Sequence, residues 1–349
     1  YWRDWSSDVC SSDLTLTGTA AAANTAYASN GITGLGNEAV TLSDTSLASS
    51  VLNTLDGNTT GAVNAATVTT LTGLAADANT AYASSGISGL GNEAVTISDT
   101  SVAASALNTL DGNTTGTVNA GSLTTIQGAL SDVLTAYASN GITGLGNEAI
   151  TLTDEGSISS TDLNTLDTKT SGDITTHTNL ATLTGTVAEL NEAFGSEGST
   201  ALGTEAVTIT DTTVDAGDLN ILNNYTTGVI NADSLTKLTG TIADVNVAFA
   251  ADAASSATIS GLGDQAVELT DTNVLAADLN TLNEYTDGDI DASTVAEIEG
   301  TVTALNTAYD TDGIDGLGNE AVTITDTTAA VADLVTLDGN TSGVIDASA

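Results

Sequence analysis

The fold of this chain is decided by residues 34–61, which read GLGNEAVTLSDTSLASSVLNTLDGNTTG. Residues 39–44 alternate between apolar and polar side chains, as a half-buried strand does. Leu47, Val51 and Leu55 follow at the four-residue spacing of one helix face. The stretch therefore predicts a turn, a strand and a helix in that order.

The same stretch recurs along the chain, which identifies a tandem repeat. Its opening phrase returns at Gly89, Gly144, Ala201, Gly261 and Gly316, at successive spacings of 55, 55, 57, 60 and 55 residues. Residues 15–349 therefore form one predicted repeat array. Its units are 15–69, 70–124, 125–181, 182–236, 237–296 and 297–349, of which the last is truncated.

Each unit divides into two halves, and each half reads as a strand followed by a helix. The first half opens with TLTG at Thr15–Gly18, and in the fourth unit Thr186 and Glu189 have the spacing of a helix capping box. Tandem strand–helix halves imply parallel strands joined by right-handed crossovers, and stacked neighbours bury what a single half cannot. The predicted fold class is α/β, an elongated right-handed solenoid of stacked strand–helix coils with two coils per repeat of ~55 residues. The alternative is a string of small β-rich domains.

Polar and aromatic residues recur at fixed places in the units. An aspartate ends each second strand, where we expect it to cap the helix that follows. Asparagine recurs inside both predicted helices, and because it is a poor interior helix former we expect it to form hydrogen bonds between coils. One aromatic residue per unit is expected to pack beneath a loop, and a carbohydrate-stacking stripe is the alternative. These positions are Asp44, Asp99, Asp154, Asp211, Asp271 and Asp326; Asn24, Asn79, Asn191, Asn246 and Asn306; Asn53, Asn108, Asn164, Asn220 and Asn280; and Tyr27, Tyr82, Tyr137, Phe194, Phe249 and Tyr309.

Composition and charge exclude several classes of function. The chain has 45 acidic and 3 basic residues, a formal net charge of -42, which argues against nucleic acid and anionic membrane surfaces as partners. No stretch approaches the about 20 apolar residues of a membrane span. Nucleophilic and metal catalysis both need a convergent set of groups, and the sequence supplies none. We therefore expect no enzyme activity and no cofactor other than a weakly bound Ca²⁺.

The fifth unit holds the candidate calcium ligands. Asp287, Asp289 and Asp291 alternate along one loop, and carboxylates in a flexible loop suit a hard cation. The expected affinity lies in the millimolar range, and the alternative is a solvated acidic edge.

Threonine pairs mark a second candidate surface. Thr15 and Thr17 are one such pair, and alternate residues of a strand point the same way about 7 Å apart. Rows of threonine in that arrangement resemble the faces of ice-binding solenoids. The residues that interrupt the rows are Gln127, Lys237, Glu268, Glu297 and Glu299, and all but Gln127 are charged.

The phrases VTLSD, LNTLDGNTTG and TLTG, which run through residues 15–349, resemble the long tandem-repeat cell-surface and secreted proteins of bacteria, especially marine ones, such as giant adhesins. That resemblance implies an extracellular or cell-surface location. It also implies partners among the neighbouring repeats and among cell-surface or extracellular matrix components. The expected function is a non-catalytic structural or adhesive spacer within a larger protein; the alternative is a binding module that uses the threonine face or the acidic loops.

Residues 1–14, YWRDWSSDVCSSDL, have no counterpart in the repeats. They contain both tryptophans and the one cysteine of the chain. Residues 4–14 also read as the in-frame translation of a sequencing-library adapter. We therefore expect this segment to be non-native, and Cys10 carries no information on redox environment.

Overall fold

The computed structural model describes residues 14–348, so that of the predicted adapter-derived segment only Leu14 lies within the described residues. Short helices alternate with short strands throughout this part of the chain. The helices are α1 (Ala20–Tyr27), α2 (Ser49–Asn58), α3 (Ala75–Ala83), α4 (Ala104–Asn113), α5 (Leu130–Ala138), α6 (Ser160–Asp167), α7 (Val187–Gly195), α8 (Ala216–Tyr225), α9 (Ile242–Ala253), α10 (Ala276–Tyr285), α11 (Val302–Asp310) and α12 (Val331–Asn340).

The strands are two to four residues long. In chain order they are β1 (Thr15–Gly18), β2 (Ala39–Leu42), β3 (Ser46–Ala48), β4 (Val63–Asn64), β5 (Thr70–Gly73), β6 (Ile87–Ser88), β7 (Ala94–Ile97), β8 (Ser101–Ala103), β9 (Val118–Asn119), β10 (Thr125–Gly128), β11 (Ile142–Thr143), β12 (Ala149–Leu152), β13 (Ser157–Ser159), β14 (Ile174–Thr175), β15 (Thr182–Gly185), β16 (Ser199–Thr200), β17 (Ala206–Ile209), β18 (Thr213–Asp215), β19 (Ile230–Asn231), β20 (Lys237–Gly240), β21 (Ile259–Ser260), β22 (Ala266–Leu269), β23 (Asn273–Leu275), β24 (Ile290–Asp291), β25 (Glu297–Gly300), β26 (Ile314–Asp315), β27 (Ala321–Ile324) and β28 (Ile345–Asp346).

The chain divides into two compact units. The first comprises the residues up to Asp154 together with Thr165–His177, and the second comprises Glu155–Asn164 together with the residues from Thr178 onward. Each unit is a stack of strand–helix coils, and the strand pairs within it are parallel. The predicted α/β class with repeated, stacked coils is therefore confirmed.

The sheets follow one scheme in both units. In the first unit the orders are β1-β2-β4-β6, β3-β5-β7-β9-β11 and β8-β10-β12-β14. In the second unit they are β13-β15-β17-β19-β21, β18-β20-β22-β24-β26 and β23-β25-β27-β28. Neighbouring strands in each of these orders come from successive coils. The segment between two successive helices contributes strands to two or to three sheets, and β6, β7 and β8 between α3 and α4 are an example of three.

The strand register explains why no sheet continues indefinitely. Thr15 pairs with Ala39, an offset of 24 residues, and two such steps are shorter than the 55-residue repeat. The residues of the repeat that the two offsets leave over carry the chain from one sheet to the next. Strand β2 ends at Leu42 in one sheet, and β3 begins the next sheet at Ser46. Each full sheet therefore begins in one repeat and ends two repeats later.

The core lies between the inner faces of the strands and one face of each helix. Val40 and Leu42 point inward from β2, while Leu52 and Leu55 point inward from α2, and all four are at most 2% exposed. Burial of each such side chain stabilises the fold by about 1.5–3 kcal/mol. The burial of Val40 and Leu42 follows the strand alternation that the sequence predicts, and the burial of Leu52 and Leu55 follows a helical spacing.

One predicted helix face is wrong in detail. Leu47 is not helical, because residues 46–48 form β3 and pair with β5, which places Leu47 opposite Leu71 in the sheet. Helix α2 starts only at Ser49, and its buried residues are Ser49, Leu52 and Leu55, whereas Val51 is half-buried. Residues 46–48 form a strand because pairing with β5 satisfies their backbone groups and buries the Leu47 side chain.

Candidate functional site

The recurring aspartates cap helices, but not the helices that the sequence suggests. Asp44 Oδ2 accepts the N–H of Ala20, the first residue of α1, at 2.8 Å, although α1 precedes Asp44 by 24 residues. The same bond is made by Asp99 to Ala75, Asp154 to Leu130, Asp211 to Val187, Asp271 to Ile242 and Asp326 to Val302, at 2.6–2.9 Å. The expected cap on the following helix is therefore wrong, because the sheet register places each aspartate beside the helix of the preceding coil.

The asparagines inside the helices connect neighbouring coils, as predicted. Asn24 Nδ2 donates to the Val51 carbonyl oxygen at 3.0 Å, and Asn53 Nδ2 donates to that of Asp77 at 2.8 Å. Equivalent bonds are made by Asn79, Asn108, Asn164, Asn191, Asn220, Asn246, Asn280 and Asn306. The amides thus form a ladder across the stacked helices within each unit.

A third recurring group, which sequence reasoning missed, is the glutamate of the GLGNEA phrase. We call these residues the turn carboxylates: Glu38, Glu93, Glu148, Glu205 and Glu320, with Gln265 at the same position of the fifth repeat. All six side chains are between 0% and 4% exposed. Glu93 Oε2 accepts the N–H groups of Gly91 and Asn92 at 2.8 and 3.2 Å, so the turn folds around its own carboxyl group.

Two glycines make this turn possible. Gly89 has φ of 87° and Gly91 has φ of 136°, a backbone region that side chains disfavour. The positive φ values direct the amide of Gly91 back toward the carboxyl group of Glu93. The signal in the sequence is the spacing Gly-x-Gly-x-Glu, which brings converging N–H groups and an acceptor into one turn.

The recurring tyrosines donate hydrogen bonds to the turn carboxylates. Tyr82 Oη donates to Glu93 Oε2 at 2.9 Å, and Tyr27, Tyr137 and Tyr309 donate to Glu38, Glu148 and Glu320. Burial, with the neighbouring glutamate, raises the pKa of these tyrosines, so their hydroxyl groups stay protonated donors near neutral pH. The expected packing of these tyrosines beneath a loop is what the structure shows.

The fourth and fifth repeats replace the tyrosine with phenylalanine, and each ring stacks on another aromatic residue. Phe194 lies parallel to Tyr225 with ring centroids 6.2 Å apart, and Phe249 lies parallel to Tyr285 at 6.5 Å. These stacks take the place of the hydroxyl–carboxyl hydrogen bond.

The first turn carboxylate is ionised. The N–H of Gly36 holds the pKa of Glu38 below its usual range, and further N–H and hydroxyl donors add to that effect against the cost of burial. Thr59 Oγ1 also donates to the Glu38 carbonyl oxygen at 2.7 Å, which ties the turn to the next coil.

The outer faces of the sheets carry two contrasting rows of side chains. The neutral row of the first unit comprises Ala48, Thr72, Thr96, Asn119 and Thr143, which are partners on adjacent strands. The acidic row occupies the same positions of one sheet of the second unit, β18-β20-β22-β24-β26, and comprises Asp215, Thr239, Glu268, Asp291 and Asp315. Lys237 contacts Glu268, and its charge also acts on Asp291, where it adds to the lowering of the Asp291 pKa.

The candidate calcium ligands lie near the acidic row without forming one cluster. Asp287, Asp289 and Asp291 belong to the fifth repeat; Asp291 lies on β24, whereas the other two precede that strand. Asp291 Oδ1 accepts the Ser293 N–H at 2.9 Å, and the Ser293 hydrogen bonds lower the pKa of Asp291. Within residues 14–348, no group of three or more His, Cys, Asp or Glu side chains is arranged to hold a metal ion.

One open cleft of about 200 Å³ brings three carboxylate side chains together, those of Asp278, Glu297 and Glu299. Glu297 is already engaged, since it accepts from Asn273 Nδ2 at 3.0 Å and from Thr323 Oγ1 at 3.1 Å. Asn273, Val274, Leu275 and Ile242 form the rest of the lining.

In the described part of the chain, no helix combines the length and the apolar character that crossing a bilayer requires. Compared with known proteins, the chain matches no protein-family model, no curated protein and no solved structure.

Proposed function

We propose that this chain is a non-catalytic structural repeat region, a spacer or surface scaffold of a larger extracellular or cell-surface protein. One observation carries the proposal: the polar residues that recur from repeat to repeat are used to join one coil to the next. The aspartates bind the preceding helix, and the asparagines bind the neighbouring helix. The threonine after each second helix binds the turn of the preceding coil.

Repetition of the same internal bonds favours a structural role over a catalytic one. An active site needs a few groups that differ from their surroundings and converge on one point. Here the recurring groups are spread along the chain at the repeat spacing, and the aspartates, asparagines and threonines among them bind backbone groups of a neighbouring coil. A chain of this kind changes its reach by changing its number of repeats.

The charge of the chain supports an extracellular setting. With 45 acidic and 3 basic residues, the protein needs counterions, which salt water or a calcium-containing medium supplies. The partners that fit are neighbouring repeats and neutral or cationic components of a cell surface or matrix, rather than nucleic acid.

Deletion of whole repeats tests the spacer function. Removing residues 70–124 joins two equivalent positions, and removing 70–181 deletes two repeats. Each repeat holds two coils with a strand spacing of about 4.8 Å, so the maximum dimension in small-angle X-ray scattering should fall by about 10 Å per repeat. Circular dichroism per residue should stay constant. Equal maximum dimensions for the three proteins would contradict the spacer function.

A second candidate function uses the neutral row as a binding face. Hydroxyl and amide groups follow one another on adjacent strands at Thr72, Thr96 and Asn119, as an ordered surface such as ice would require. An ice-recrystallisation assay separates this candidate from the spacer: inhibition that is lost in the Thr72→Glu, Thr96→Glu double variant supports it, and no inhibition by the parent protein rejects it.

A further inference from the structure

Helices α8 and α9 depart from the other helices at one outward position. The sixth residue of each helix from α1 to α12 is exposed to solvent. In most of them it is a threonine: Thr25, Thr54, Thr80, Thr109, Thr135, Thr165, Thr281, Thr307 and Thr336. The residue is Glu192 in α7, whereas it is Ile221 in α8 and Val247 in α9. The two apolar replacements therefore fall on successive helices.

The replaced threonine has a hydrogen bond that an apolar side chain cannot make. Thr54 Oγ1 donates to the Ser50 carbonyl oxygen at 2.8 Å, and Thr80 Oγ1 donates to that of Ala76 at 2.9 Å. Ile221 and Val247 keep the β-branched shape without the hydroxyl group, and their side chains are 48% and 57% exposed. Because both side chains remain exposed, the fold gains no burial from the replacement.

The two replacements lie beside each other, and a third apolar side chain extends the surface that they form. Asn220 Nδ2, next to Ile221, donates to the carbonyl oxygen of Asp244 on α9 at 2.9 Å, which joins the two helices at this level. Tyr225 follows Ile221 by four residues, one turn further along α8, and is 43% exposed. We call Ile221, Tyr225 and Val247 the helix patch. Single exposed apolar residues are ordinary, whereas a group of them on adjoining helices marks an interaction surface.

The helix patch is preformed. The ring of Tyr225 stacks on that of Phe194 with the centroids 6.2 Å apart, which holds the tyrosine in one orientation. Ile221 and Val247 are β-branched residues on helices, so their side chains have one strongly preferred rotamer. A partner that covers the patch therefore immobilises little that is not already fixed.

Acidic residues surround the helix patch. Asp218 and Asp244 lie three residues before Ile221 and Val247 on the same helices, and Glu192 occupies the equivalent position of α7. Helices α7 to α12 contain no lysine and no arginine. The surface around the patch is therefore negative, and the side chains that complement it are basic.

A second copy of the chain does not complement this surface. Each copy carries a formal net charge of -42, and two facing patches would bring the same acidic residues together. A stable interface between proteins also buries about 800 Å² per partner, which is more than three half-exposed side chains supply.

We propose that the helix patch is a docking site for a basic amphipathic helix of a partner protein. Two helices packed side by side present ridges and grooves, into which a third helix packs. Apolar side chains of the partner cover the helix patch, and its flanking lysine and arginine side chains face Asp218, Asp244 and Glu192. The site goes beyond the spacer function, because it places one binding point at a fixed position along the repeat array.

Binding of designed peptides to the full chain tests the docking site. The probe is a synthetic helical peptide with leucine on one face and lysine on the other. The control peptide contains the same residues in a scrambled order and has no apolar face. At physiological salt the Ile221→Thr, Val247→Thr double variant should bind the probe about tenfold more weakly than the parent does, because it loses apolar contact without any change of charge. The scrambled peptide should bind both proteins alike, since it responds to charge alone.

The double variant carries the threonine of the other helices, so it should fold as they do. The matched control is Thr54→Ala, Thr80→Ala at the equivalent positions of α2 and α3, which should leave binding of the probe unchanged. In hydrogen exchange of the parent, the probe should protect the amides of α8 and α9 rather than those of α2 and α3.

Three outcomes overturn the proposal. The first is equal affinity of the parent and the double variant for the probe. The second is a parent dimer in sedimentation equilibrium that the double variant does not form, because the patch would then bind a second copy. The third is binding of the parent, but not of the double variant, to phosphatidylcholine vesicles, which would identify a lipid surface. Deletion of residues 70–181 leaves the helix patch in place, so the spacer function is tested separately.

Discussion

The neutral row and the acidic row stand on the same scaffold and differ in almost every outward side chain. Thr96 and Glu268 occupy equivalent strand positions, as do Asn119 and Asp291. The residues that precede them on their strands point inward and are buried in both units. Parallel pairing of the strands is the same in the two rows. The comparison shows that the inward-facing residues of the strands determine the fold. The outward-facing residues can vary without changing it, and they determine the chemistry of the surface.

The largest expected effect concerns the inner faces, which should respond alike in both units. Leu71 and Leu238 are fully buried on β5 and β20. Leu71→Ala and Leu238→Ala should each cost about 2–5 kcal/mol of local stability through lost burial and a cavity.

Hydrogen exchange of the repeat that carries each substitution measures this local cost, because long repeat arrays need not unfold in one step. The outward controls Thr72→Ala and Thr239→Ala should change little. A loss of local stability in only one of the two variants would show that the inner faces of the two units are not equivalent.

The aspartate caps should give the next largest effect, again equal in both units. Asp99→Ala and Asp271→Ala remove the acceptor for the first N–H of α3 and α9, and each should cost about 1 kcal/mol. Asp99→Asn keeps an oxygen acceptor and should recover most of the loss. Exchange rates of the amides at the start of α3 and α9 report the effect. If Asp99→Ala instead speeds exchange at the start of α4, Asp99 caps the helix that follows it, and the assignment to α3 is contradicted.

Surface charge should separate the two rows. Asp291 and Asp315 face each other on adjacent strands, and like charges in that arrangement are destabilising by up to about 1 kcal/mol. Asp315→Asn should therefore stabilise the protein at low salt, with a gain that shrinks as salt screens the pair. Thr143→Asp places one charge beside Asn119 in the neutral row and should show no such salt dependence. Urea unfolding at low and high salt distinguishes the two, and a salt-independent gain in Asp315→Asn would contradict a charge effect.

The smallest expected effect concerns the capping box of α7. Glu189 accepts the Thr186 N–H, which holds the pKa of Glu189 below its usual range. Its stabilising contribution is therefore present above the unfolded-state pKa of about 4.3 and is lost as the pH falls through the lower folded-state value.

Glu189→Gln should lower the unfolding midpoint slightly at neutral pH and match the parent in acid. The first unit has Ala22 at the same position of α1, after the Thr19 cap. Ala22→Glu should gain in that unit what Glu189→Gln loses in the other. A deficit of Glu189→Gln that persists in acid would show that the carboxylate charge is not its cause.

The sequence predicts the local elements and fails on relations between coils. Val40, Leu42, Leu52 and Leu55 follow the periodicity that their burial requires, so the order of apolar residues alone reveals the strand and the helix. Asp44 is different, because its partner lies 24 residues earlier and the pairing offset is shorter than half a repeat. The spacing of repeated phrases gives the length of a repeat of two coils, whereas the hydrogen-bond register depends on where the chain changes sheets.

The turn carboxylates escaped prediction for another reason. Acidic residues are expected at the surface, and nothing in the periodicity of GLGNEA distinguishes a buried glutamate from an exposed one. The substitution by Gln265 is the informative clue, since glutamine keeps the shape of glutamate and replaces its charge by an amide donor. The calcium ligands, the threonine face and the cellular location remain predictions.

The change of sheet within every repeat has a genetic consequence. A recombination event that adds or removes one whole repeat joins positions that already have equivalent neighbours on both sides. Every strand then finds a partner at the usual 24-residue offset, and every helix finds its aspartate cap. The gene can therefore vary in length by unequal crossing-over without passing through a misfolded product, provided that the exchange occurs between equivalent codons.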